Sequence, residues 1–126
     1  MNPVTDHKGS DANATISIAC DDRAEGGASH IYDISYEWQS PSAETGGTGV
    51  QRLEFQRGAI KEVGRNGITD EVLIAVLLDR LRGFQNGPFK CRENSLAVTK
   101  LEEALHWMNH RTNERVARGV EGRSVA

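Results

Sequence analysis

The hydrophobic pattern changes its period once, at Gly67, and that change limits the folds open to the chain. Before it, apolar residues alternate: Tyr32, Ile34, Tyr36 and Trp38 fall on one face of a strand, Asp33, Ser35 and Glu37 on the other. After it, Val72, Leu73, Val76, Leu77 and Leu81 recur at helical spacing. Strands first and helices second predict an α+β chain, a small N-terminal antiparallel β-sheet followed by a C-terminal two-helix hairpin. With 126 residues, 37% of them hydrophobic, there is material for one modest core. The expected organisation is a flexible N-terminal arm over 1–14, a single domain over 15–122 and a tail over 123–126. Within that domain the strands fall in 15–66 and the hairpin in 69–118.

In detail, Thr15–Cys20 alternates with Ile16, Ile18 and Cys20 on one face, and Val50–Gln56 turns Leu53 and Phe55 inward. Gln39–Gly49 reads as a loop, and the piece around Ile60 and Val63 as a last extended segment between Gly58 and Gly64. Thr69 caps the first helix, Asp70 and Glu71 suit its positive end, and Gly83 is placed to stop it. Ile74 and Leu78 widen its apolar arc beyond what one neighbour covers, as expected of a helix with two partners. Phe84–Phe89 then forms a loop. The second helix runs from about Ser95 to Arg118, with Asn94 at its start and Gly119 at its end.

Charge narrows the function classes. Residues 1–50 hold two lysine or arginine side chains against eight carboxylates, and from Arg80 onward the balance is nine against five. An acidic chain with a basic C-terminal segment suits a local anion site and disfavours a binder of genomic nucleic acid. No apolar run reaches the ~18 residues a membrane span needs, and the first residues lack a secretory pattern. Two cysteines, Cys20 and Cys91, exclude a disulfide scaffold and a four-cysteine zinc site, so a reducing compartment is expected.

On a helical wheel with Asn94 at zero, Val98, Leu101, Leu105, Met108 and Thr112 lie within about 40 degrees and form the buried seam. Arg111, Arg115 and Arg118 lie between about 240 and 300 degrees, beside it. Three arginines on one face either form a solvated surface, paired with Glu114 or with acids of the N-terminal half, or surround an anion such as phosphate. His106 and His110 have the spacing of zinc ligands, but only Glu102 or Glu103 offers a third, and exposed histidines are expected instead. Cys91 has no His–Asp partner set and reads as a small, buried or half-buried apolar residue. No phosphate-binding glycine motif and no defensible carboxylate pair occurs, so neither catalytic residues nor a metal or cofactor site is expected.

The stretch Gly87-Pro88-Phe89-Lys90-Cys91-Arg92-Glu93-Asn94-Ser95-Leu96 carries a resemblance, as do Thr99–Leu105, Trp107, Asn109, Arg111-Thr112, Arg115 and Gly119–Gly122. With Gly58–Gly64 and Asn66-Gly67, they resemble the Thoeris anti-defence protein 1 family, whose hairpin is related to anti-CBASS protein 2. The resemblance covers about Val50 to Gly122. It implies a phage-encoded, non-enzymatic sponge that binds glycocyclic ADP-ribose intact in the host bacterial cytoplasm. It also implies dimers or a trimer of dimers, and in some members cyclic di- or trinucleotides bound at separate sites. The family's pocket residues fall on Phe84, Asn94, Arg111 and Arg115, with Arg92 as a position for the second site. The alternatives are a phage assembly protein whose hairpin dimerises, or an enzyme that cleaves the same nucleotide.

Overall fold

The computed structural model describes every residue from Met1 to Ala126. Four strands, β1 (Asn2–Val4), β2 (Ser17–Cys20), β3 (Ile31–Gln39) and β4 (Gly46–Glu54), form one antiparallel sheet in chain order. Four helices interleave with them or follow: α1 (Asp11–Ala14), α2 (Ile60–Val63), α3 (Asp70–Gln85) and α4 (Arg92–Ala117). The chain divides into two compact units, the first Met1–Gly58 with Arg65–Gly67, the second Ala59–Gly64 with Ile68–Ala126. A sheet followed by a helical hairpin is the architecture expected from the change of period.

Register sorts the sheet's two faces. Cys20, Tyr32 and Leu53 stand opposite one another, as do Val4, Ile18, Ile34 and Gln51. Tyr32 also meets Phe55 edge-on at 5.6 Å between ring centres. The other face carries Pro3, Ala19, Asp33 and Arg52, the last two joined by two hydrogen bonds of 2.7 and 2.9 Å. Residues 2–4, expected in the arm, pair with Ile18–Cys20, and His7 Nε2 lies 2.5 Å from the Ile16 carbonyl. Three residues of strand are too short to show an alternation.

β4 begins inside the segment expected to be a loop. Gly46, Gly47 and Gly49 look like turn residues, yet Trp38 lies over Gly47 and Tyr36 over Gly49. A Cβ at Gly49 would sit 2.4 Å from the Tyr36 ring, so the aromatics fill the space that side chains would occupy.

The turn from Asp21 to His30 is knit by one carboxylate. Asp21 accepts from the backbone N–H groups of His30 and Ile31 at 2.8 and 3.1 Å, and pairs with Arg57 at 2.7 Å. Asn66 closes the other side, donating to the Arg57 carbonyl and accepting from its N–H, both at 2.8 Å. Gly67 is required beside it, because a Cβ there would lie 2.4–2.6 Å from the backbone of Phe55 and Glu54.

In the second unit, Ile60–Val63 is one helical turn and not the expected extended piece. Positive φ at Gly58 and Gly64 brackets it, and Val63 N–H donates to the Ala59 carbonyl. Thr69 caps α3, its hydroxyl accepting from Val72 N–H at 3.4 Å. The helix runs through Gly83 to Gln85, so Phe84 is helical; Gly83 has no positive φ, and a glycine inside a helix weakens it without ending it. Leu78 is the one fully buried apolar residue of this unit, with Leu73, Ile74 and Leu81 half-buried around it. Val72, Val76 and Leu77, expected in the buried stripe, stay exposed. On α4 the expected seam of Val98, Leu101, Leu105, Met108 and Thr112 is half-buried. Arg82 and Glu102 bridge the two helices at 3.2 Å.

Gly67→Ala should lower unfolding free energy by about 2 kcal/mol or more through backbone overlap, whereas Gly83→Ala should raise it by about 0.5–1 kcal/mol. Paired chemical denaturation curves check both. Asp21 is held below the ordinary carboxylate value by the Ile31 N–H first, then by His30 and Arg57; Asp33 is held down by Arg52. Depressed carboxylates stabilise the fold above their unfolded values, about pH 4, and that contribution is lost as pH falls through the lowered folded values. Thermal unfolding between pH 6 and 2.5 should show this loss, and Asp21→Asn should flatten it while lowering the melting temperature at neutral pH.

Candidate functional site

The short connection between α3 and α4 gathers Phe84, Arg92 and Asn94 near one end of the hairpin. Phe84 is 37% exposed, and the Arg80 guanidinium, one turn earlier, lies 5.1 Å from the centre of its ring. The loop is fixed by Gln85, whose side chain accepts from Cys91 N–H at 2.9 Å and donates to the Cys91 carbonyl at 3.0 Å.

Cys91, not Asn94, caps α4. Its sulfur accepts from Asn94 N–H at 3.4 Å, and the thiol is exposed, contrary to the buried or half-buried apolar role expected. Ser, Thr, Asp and Asn dominate this position, which is why Asn94 drew the assignment. Asn94 is therefore the third residue of the helix. Its backbone serves the cap while its half-buried side-chain amide bonds to nothing in the chain. Arg92 occupies the first helical position, exposed and without an acidic partner.

The arginines lie at the opposite end of α4. Seventeen residues separate Arg111 from Asn94, a rise of about 25 Å, and Arg115 lies about 30 Å away. Arg111 is exposed and has no acidic partner, whereas Arg118 pairs with Glu114 at 2.6 Å. Arg115 differs from both. It is 6% exposed, and its guanidinium donates to the Glu121 carboxylate at 3.0 Å. It donates also to the carbonyls of Val120 at 3.0 Å and Arg123 at 2.9 Å, and to that of Val125. The reason lies beyond the helix: the residues that follow α4 fold back over Arg115 and enclose its guanidinium.

The chain thus brings Phe84 and Asn94 to one end of the hairpin and Arg111 and Arg115 to the other, and does not bring the pairs together. His106 and His110 flank the 66% exposed Trp107, ring centres 5.4 and 5.7 Å from it. A cavity of about 240 Å³ in the sheet unit is lined by His30, Ile31, Glu54, Phe55, Arg57 and Asn66, none of them among the expected site residues. Beside it Arg57 Nε lies 3.1 Å from the Glu25 carboxylate without a hydrogen bond, and His30 Nε2 lies 2.8 Å from the Glu25 carbonyl.

Arg111→Ala should change stability by no more than about 0.5 kcal/mol. Arg115→Ala should cost about 1–3 kcal/mol, because it removes the side chain that ties Glu121 and three carbonyls to the end of α4. Denaturant titration of the two variants separates the free arginine from the engaged one.

The family model of the Acb2/Tad1 hairpin domain matches residues 50–113, a span that holds Phe84, Arg92, Asn94 and Arg111 and stops short of Arg115. The chain is similar to Thoeris anti-defense 1 of Bacillus phage SBSphiJ7, 57% identical over 70 residues, which are 56% of this chain. Those residues are 49% of that phage protein, so the chain spans about half the length of the relative it matches. With half of its length matched by the family model, the chain belongs to the Acb2/Tad1 hairpin-domain family.

Proposed function

We propose that the protein is a phage anti-defence sponge that binds glycocyclic ADP-ribose and keeps it from a bacterial immune effector without degrading it. It acts in the cytoplasm of the infected host. The observation that carries this reading is an unpaired Arg111 at one end of α4 and an open Phe84–Asn94 pair at the other, in a hairpin of this family. Arginine forks match phosphate oxygens. A Phe84 ring stacked on adenine contributes about 1–3 kcal/mol. The Asn94 amide offers a donor and an acceptor to ribose hydroxyls or to a base edge.

Because about 25 Å separates the two halves, one chain cannot close both on one nucleotide. The pocket therefore combines Phe84 and Asn94 of one copy with Arg111 and Arg115 of another. Uncovered apolar side chains support such a homo-oligomer: Val72, Val76, Leu77, Leu96 and Trp107 are 45–66% exposed. A dimer gives two equivalent pockets, and a trimer of dimers would leave room for cyclic di- or trinucleotides at a separate site involving Arg92. In this reading the nucleotide is held by stacking and by charged hydrogen bonds and is released unchanged.

Calorimetric titration with glycocyclic ADP-ribose, followed by heating and chromatography of the released nucleotide, tests the reading. Binding with the nucleotide recovered unchanged is expected. An altered product would make the protein an enzyme, and tolerance of Phe84→Ala with Arg111→Ala would favour the assembly alternative. Phe84→Ala should weaken binding by about 5- to 150-fold, the stacking energy expressed as affinity. Asn94→Ala and Arg111→Ala should each abolish tight binding alone. Unfolded together and refolded as a mixture, they should regain about a quarter of the wild-type sites, since half the dimers then carry one intact pocket.

A further inference from the structure

The residues beyond α4 do not trail away. Gly119, with φ of 72°, turns the chain back, and Val120 N–H donates to the Arg115 carbonyl at 3.0 Å. Four of the five guanidinium donors of Arg115 are then taken by this one segment: Glu121 by Nε, Val120 and Arg123 by one terminal nitrogen, Val125 by the other. A second attachment holds the segment on α2. Lys61 N–H donates to the Gly122 carbonyl at 2.9 Å, and Ser124 donates from its hydroxyl to Glu62 at 2.7 Å and from its N–H at 3.3 Å. Gly122 lies so near α2 that a Cβ there would stand 2.9 Å from Ile60 and Lys61.

We infer that the segment Gly119–Val125 is a built-in occupant of the Arg115 anion site, which a phosphate-bearing ligand must displace. The inference rests on the proposed ligand reading in one respect, that Arg115 takes part in binding phosphate. Its geometry is independent of that reading. A planar guanidinium that holds one carboxylate and three carbonyls has no fork left to offer, and its side chain is 7% exposed. Arg111, one turn earlier, is open and has no acidic partner. Half of the arginine pair is therefore presented and half is covered.

The exchange balances in charge and in hydrogen bonds. Glu121 is the only ionic member of the set around Arg115, and its side chain is 38% exposed, so its carboxylate can return to water when a phosphate takes the Nε–H. Gly119 and Gly122, both at positive φ, flank Glu121 and supply pivots that other residues would strain. The Glu62 attachment sets how readily the segment lets go. Hydrogen bonds from Ser124 hold the Glu62 carboxyl below the usual carboxylate range, in keeping with an ionised latch at neutral pH.

The test uses the full chain and two readouts. Glu121→Gln keeps an acceptor but removes the charge, and Ser124→Ala loosens the latch. Each should tighten binding of glycocyclic ADP-ribose by about 5- to 10-fold in calorimetry, as expected when a competing internal contact is weakened. Hydrogen exchange should show the amides of residues 120–125 exchanging about tenfold faster in the complex than in the free protein. The same exchange measured with millimolar inorganic pyrophosphate, against sulfate at equal ionic strength, separates the two claims. Release of the segment by pyrophosphate without binding of the cyclic nucleotide keeps the occupant and removes the proposed ligand. Nucleotide binding with the segment still protected keeps the ligand and overturns the occupant. So does unchanged or weaker binding by Glu121→Gln, or failure of both anions to release the segment.

Discussion

The rigidity of a long helix governs what this hairpin can do. A helix of 26 residues rises about 39 Å, and nothing in α4, which lacks proline and glycine, allows it to fold back on itself. Whatever sits at its two ends remains apart within one chain. The short connection to α3 fixes which groups share an end: Phe84 with Asn94 by proximity to the loop, Arg111 with Arg115 by one helical turn. A nucleotide is smaller than the gap, so a second copy is as much a requirement of the proposed pocket as any of its side chains. The thin interior fits this view, since Leu78 is the one apolar residue of the helical unit that is fully out of water.

The change of period at Gly67 was legible because periodicity reports burial directly, and the sheet and the hairpin both followed from it. Boundaries were harder wherever glycine was involved. Three glycines in Gly46–Gly49 argue for a loop by propensity, but Tyr36 and Trp38 on the partner strand override propensity by filling the vacant space. Gly83 argues for a helix end by the same habit, yet a glycine ends a helix only when its backbone turns left-handed, as Gly119 does and Gly83 does not. The single turn at Ile60–Val63 is too short to show any period.

The site divided along similar lines. The family resemblance pointed to Phe84, Asn94 and Arg111, and all three keep side chains free of ionic or hydrogen-bonded partners in the chain. Arg115 looked equivalent to Arg111 by type, yet the segment beyond α4 folds back over Arg115 and leaves Arg111 open. Charge alone could not foretell that, because the acceptors that enclose it are backbone carbonyls, which every sequence supplies. Asn66 and Gly67 show the reverse case: they look like motif residues and are explained by the backbone groups of Arg57, Phe55 and Glu54.

The two compact units exchange short lengths of chain. Arg65–Gly67 belongs to the sheet unit although it follows α2 in sequence, and Ala59–Gly64 belongs to the helical unit although it precedes that return. No single cut therefore yields either piece intact. A break after Gly58 strips the sheet unit of the Asn66 side chain that brackets Arg57, and a break after Gly67 removes from the hairpin the turn on which Gly122 and Ser124 are fastened. A hairpin of this kind can be transplanted onto another sheet only together with the nine-residue crossing, 59–67, that both units own.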